Sequence, residues 1–112
     1  MMTRGGLEIA GPPHDAPVPA TAAEIKAAYD AAASSLVSEL KAKWTDATLK
    51  QEDDMYGEKW SRAQTLHVLM GHQIHHRGQV TVLMRQAGLK VPGVYGPAKE
   101  EWGAFGAPPP EV

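Results

Sequence analysis

Four of the five histidines lie within ten residues, in the stretch Leu66-His67-Val68-Leu69-Met70-Gly71-His72-Gln73-Ile74-His75-His76-Arg77-Gly78-Gln79. A helix turns about 100° per residue, so side chains four apart nearly overlap in projection. His72 and His76 therefore share one face, one turn apart. Two imidazoles so placed form half of a divalent metal site, and imidazole nitrogen suits zinc, nickel, iron or copper. The same pair reads equally as two histidines satisfied by neighbouring polar groups. Leu69, Val80, Leu83 and Ala87 fall within about 60° of the pair's direction. The histidines thus interrupt an apolar stripe and are expected to look into an interior, where a polar group needs a partner and a cation supplies one. His75, Arg77 and Gln79 are candidates for hydrogen bonding to the imidazoles rather than for ligation. Gln79, three residues beyond His76, is the one placed to fix an imidazole tautomer. His75 is turned about 100° from His76 and His67 lies nearly opposite His76, so His67 reads as a packing or solvent residue. His14 sits in a Pro-rich stretch near the N-terminus.

The elements that carry these residues are marked out by glycine and proline. Of twenty such residues, seven fall in residues 1–20 and nine from Pro92 onward, with no proline between. Proline lacks the donor a helix interior needs, so the middle is where helix can run. Three segments follow: an irregular N-terminal stretch (1–20), a helical region (21–91) and a Gly/Pro-rich tail (92–112). Thr21-Ala22-Ala23-Glu24 has the spacing of a capping box, and Ile25, Tyr29, Ala32, Leu36 and Leu40 recur at helical intervals. Together they predict a helix over Ala22 to Lys43. Asp46 to Trp60 is too polar for a core element and reads as a connection. Ser61-Arg62-Ala63-Gln64 is a second capping box. The apolar run behind it continues to Ala87, where Gly88 can supply the left-handed C-terminal cap. That helix is about 40 Å long. Gly71 and Gly78, seven apart on one side of it, predict close approach by another helix.

Composition excludes several functions. The chain has 112 residues, enough for one domain, and a formal net charge of −2. No basic excess is available to neutralise phosphates, so nucleic acid is not an expected partner. No run of about 18 apolar residues exists, so a membrane partner is not expected either. The N-terminus lacks the layout of a signal peptide, which makes a cytoplasmic location the default. There is no cysteine, which removes disulfides, thiolate metal sites and a cysteine nucleophile.

The run from Leu69 to Val80, with its His-x-x-His-His-Arg-Gly-Gln core, resembles the DinB family. Arg85, Gly88, Val91-Pro92 and Tyr95-Gly96 extend the likeness, which covers about Thr21 to Pro97. The resemblance implies a four-helix bundle with the signature on its last helix. It also implies a divalent metal, zinc or nickel, held by three histidines, of which His72 and His76 match two. The third comes from an earlier helix and has no counterpart here, because His14 lies in the wrong kind of segment and His67 faces the wrong way. Members are longer than this chain, and two helices ahead of the loop that Pro12 to Pro19 resembles have no match in it. Related members are thiol-dependent transferases or isomerases.

The expected fold is all-α: two long helices per chain forming part of a DinB-like four-helix bundle, completed by dimerisation. Two helices cannot enclose a core, and covering each Leu, Val or Met is worth about 1.5–3 kcal/mol, so a homodimer is expected. Two function classes follow. One is a metal-binding enzyme using His72 and His76 with zinc, nickel or iron, acting on a small molecule as a thiol S-transferase or a related hydrolase or isomerase. The other is a non-catalytic dimeric helical module that binds metal weakly or not at all. A chain whose upstream helices were lost is a third reading.

Overall fold

A computed structural model describes Met1 to Glu111, which fall into two units, Met1–Leu69 and Met70 onward. In the first unit, helix α1 spans Ala22–Lys43. Both halves of its capping box form. The Thr21 hydroxyl accepts from the Glu24 N–H at 3.2 Å, and the Thr21 N–H donates to the Glu24 carboxylate at 3.0 Å. These bonds satisfy amide groups that a helix start otherwise leaves without partners. The helix stops at Trp44, which turns extended while its N–H still donates to the Leu40 carbonyl at 2.9 Å. Lys41 and Lys43 in the last turn suit the negative end of the helix dipole.

The polar stretch that follows is not merely a connection. Glu52–Met55 (β1) and Glu58–Ser61 (β2) pair antiparallel, with Asp53 opposite Trp60 and Asp54 opposite Lys59. The two-residue turn between them has positive φ at both positions, 58° at Tyr56 and 90° at Gly57. This is the pattern that matches the twist of a hairpin, and glycine reaches it without steric cost. Helix α2 (Arg62–Gln86) leaves directly from β2. Ser61 Oγ accepts from the Gln64 N–H at 3.1 Å, so the cap read at Ser61 does mark the helix start.

The core of this unit gathers on Trp44. Met2, Leu7 and Trp44 are buried together, with Ile9, Leu36, Leu40, Leu49, Leu66 and Leu69 packed against them. Met55 and Thr65 are fully enclosed. Each large apolar side chain removed from water contributes about 1.5–3 kcal/mol. A short 3-10 turn, Met2–Gly5, delivers the N-terminal residues to this core. The Trp44 indole N–H donates to the Gly5 carbonyl at 3.2 Å. Arg62 lies over the indole at 5.0 Å and bonds Asp53 at 3.0 Å, tying the hairpin to both helices of the unit.

In the second unit, α2 continues to Gln86 and closes with a paired-bond cap. The Leu89 N–H donates to the Met84 carbonyl at 2.9 Å and the Gly88 N–H to Arg85 at 3.0 Å, with Gly88 at φ 73°. This is the Schellman arrangement expected of a glycine just past a helix end. The tail then forms a 3-10 segment, Lys99–Phe105, anchored by two carboxylates. Glu100 receives both terminal nitrogens of Arg85. Glu101 accepts the N–H groups of Gly93 and Ala98, each at 3.0 Å.

Two expectations are corrected by this architecture. The chain is not an all-α protein of two long helices forming part of a four-helix bundle: a β-hairpin and three 3-10 segments accompany the helices. The close approach expected at Gly71 and Gly78 is also not made within their own unit, where, among the described residues, a Cβ at either would meet nothing within 4 Å.

Candidate functional site

The site is built on the exposed middle of α2 by the periodicity of the helix itself. His72 and His76 stand one turn apart, and their Nε2 atoms meet at 3.0 Å. The rings are edge to face, with centroids 4.5 Å apart and planes at 88°. Two ligands at 2.0–2.1 Å from a tetrahedral zinc ion lie about 3.3 Å from one another. The observed separation is thus within a few tenths of an ångström of what one ion would require. His76 Nδ1 lies 2.8 Å from the Gln79 amide oxygen, which can only accept. An N–H on His76 Nδ1 would satisfy that oxygen and leave the Nε2 lone pair on the side of His72. The donor set fits two positions of a divalent metal site. Among the described residues, no group of three His, Asp or Glu side chains is gathered to hold an ion.

The remaining candidates divide. His75 packs its ring against His76, with centroids 5.3 Å apart, and has no bond to the pair. Gln79 places its amide oxygen 2.8 Å from His76 Nδ1. Arg77 turns elsewhere: with Ile74, Gly78, Thr81, Val94 and Tyr95 it lines a groove of about 200 Å³. His67 is exposed, as is His14. The expectation that the histidine pair looks into an apolar interior is not met. His72 and His76 are both exposed, and Val80 and Leu83 beside them are 52% and 62% exposed. The stripe is present on the helix, but no element of the unit lies over it. The rings are satisfied instead by one another and by Gln79.

The sequence profile of the DinB family matches residues 6–111, nearly the whole chain. The chain belongs to the DinB family. A relative of this DinB chain is the uncharacterised protein YrdA of Bacillus subtilis (strain 168), 48% identical over 106 residues, which are 95% of this chain and 64% of YrdA. A DinB-like protein from Bacillus cereus ATCC 10987, solved as a crystal structure, is similar at 44% identity with a TM-score of 0.79. That likeness covers 84% of this chain and 63% of the other. The DinB chain thus spans just under two thirds of the length of both relatives.

Sequence reasoning missed a second concave feature of the DinB chain. Thr81, Val82 and Arg85 of α2, with Val91 to Val94 and Gly96 to Ala98, line a cavity of about 350 Å³. Arg85 at its edge is held by Glu100, and that contact keeps the Glu100 carboxyl down at about 2. The backbone N–H groups of Gly93 and Ala98 likewise lower the Glu101 carboxyl. The signal for both anchors was the acidic pair Glu100-Glu101 behind Ala98, a helix-start pattern too short to register beside the longer runs.

Proposed function

We propose that this DinB-family chain binds a divalent metal ion, zinc or nickel first and iron next, on His72 and His76. One observation carries the reading: two imidazole nitrogens from adjacent turns converge to 3.0 Å, while Gln79 already occupies the other nitrogen of His76. When bound, such an ion lowers the pKa of a thiol or water ligand and so supplies a nucleophile near neutral pH. The reaction class that goes with this is transfer to a low-molecular-weight thiol, or a related hydrolysis or isomerisation of a small molecule. The chain's own part is to hold two nitrogen donors in register on a rigid helix. Their exposure leaves the remaining positions open to a small molecule or to another polypeptide.

A second reading, a non-catalytic helical module that binds metal weakly or not at all, has its own support. Among the described residues no third His, Asp or Glu joins the pair. Association into a homodimer accompanies either reading, because Val80 and Leu83, on the same helix face as the histidines, are exposed apolar side chains. Among the described residues no helix is long and apolar enough to cross a membrane.

Elemental analysis of protein purified without chelator separates the two. The enzyme reading expects close to one ion per chain, lost in both His72→Ala and His76→Ala. Metal-free protein that stays metal-free after zinc and nickel are supplied supports the second reading. Sedimentation at micromolar concentration tests the homodimer, and a single monomeric species removes it.

A further inference from the structure

We infer that Gln79 is a positioning residue that fixes the proton of His76 on Nδ1, and that His72 must move its own proton from Nε2 to Nδ1 before the pair can face one ion. The inference rests on the metal-binding reading for its purpose but not for its first half. Gln79 Oε1 is an acceptor 2.8 Å from His76 Nδ1, so that nitrogen carries the hydrogen. A neutral imidazole has one N–H, so His76 Nε2 is left with a lone pair. That lone pair lies 3.0 Å from His72 Nε2. Two lone pairs facing at this distance repel, so His72 Nε2 carries the hydrogen and donates it to His76.

The metal-free pair is therefore one ligand in the ready tautomer and one in the wrong tautomer. For His72 and His76 to hold one ion together, the hydrogen that His72 Nε2 donates to His76 would have to be given up. The proton leaves His72 Nε2 for solvent and another is taken up at His72 Nδ1, so both rings stay neutral and no bond other than N–H changes. Gln79 makes the exchange one-sided: because His76 is held, only His72 needs to change. Without the amide oxygen, His76 is free to carry its proton on Nε2 and both rings compete against the ion. An outer hydrogen-bond partner of this kind is worth about 10–100-fold in metal affinity.

The test is long-range proton–nitrogen NMR of the histidine rings in the full chain. In metal-free protein, His76 Nδ1 and His72 Nε2 should read as protonated nitrogens and His76 Nε2 as unprotonated. In Gln79→Leu, the His76 signature should collapse to an average of both tautomers, with helix content unchanged by circular dichroism because Gln79 is exposed. Gln79→Glu, which keeps an acceptor, should restore it. Added zinc should move the His72 proton to Nδ1, with about 10–100-fold weaker binding in Gln79→Leu than in Gln79→Glu. An unprotonated His76 Nδ1 in the wild type, or a Gln79→Leu spectrum identical to it, overturns the assignment whether or not metal binds. Failure of zinc to bind the wild type while the metal-free spectrum holds removes the metal reading and leaves the Gln79 lock standing.

Discussion

Replacing Gly5 by alanine asks whether the N-terminal turn is truly seated on Trp44. An alanine Cβ would lie 2.6 Å from Trp44 Cζ2 and 3.2 Å from the Asp53 carboxylate, the first well inside contact distance. Gly5 does not have positive φ, so the backbone itself accepts alanine. In open space the substitution would stabilise by about 0.4–1 kcal/mol, because the unfolded chain loses freedom. Against that, forcing a methyl into a packed contact costs about 1–3 kcal/mol. The Trp44 N–H bond to the Gly5 carbonyl, worth about 0.5–1.5 kcal/mol, is strained as well. The sum is a loss of roughly 1–3 kcal/mol, and each kcal/mol lowers the midpoint of thermal unfolding by about 4–8 °C in a domain near this size. Thermal and urea unfolding of Gly5→Ala, Trp44→Phe and the double variant measure it. Phenylalanine lacks the ring atoms that Cβ would strike, so Gly5→Ala should cost at least about 0.5 kcal/mol less in that background. A stabilised Gly5→Ala, or strict additivity in the cycle, would refute the packing of residues 2–7 against the helix end.

Three further outcomes follow from the geometry. Glu100, held at about 2 by its bonds to Arg85, has a folded pKa below its ordinary 4.5. Its contribution to stability is therefore complete above about 4.5 and is lost as pH falls toward 2. Carbon-detected NMR titration should show this, and in Arg85→Gln the Glu100 midpoint should return toward 4.5. Asp53→Ala removes the partner of Arg62 where both side chains are only 16% exposed. It should cost about 1–3 kcal/mol in urea unfolding, whereas loss of the exposed Lys59 partner of Asp54 should cost under about 1 kcal/mol. Gly57→Val places a β-branched residue at φ 90°. It should destabilise the hairpin by about 1–2 kcal/mol, and unchanged hydrogen-exchange protection across β1 and β2 would count against the turn assignment.

The sequence by itself determined the features that depend on neighbours along the chain. Helix α1 begins and ends where the Thr21–Glu24 box and the loss of periodicity place it, because capping bonds reach only three residues. The register of His72, His76 and Gln79 followed from helical geometry alone, since side chains three and four apart must meet. Gly88 closes α2 for the same local reason.

Tertiary structure decided what depends on distant partners. The hairpin was illegible because Glu52, Asp53, Asp54, Glu58 and Lys59 lack the apolar alternation of a half-buried strand. It is held by a turn at Tyr56-Gly57, by Met55 sealed into the interior, and by the Asp53–Arg62 bond. Met2 and Leu7 joined the core from a stretch rich in glycine because Gly5 lets the backbone reach the Trp44 ring. The exposure of the histidine pair was likewise beyond the pattern. An apolar stripe records that a helix face could be covered, but whether anything covers it depends on which elements are present to pack there.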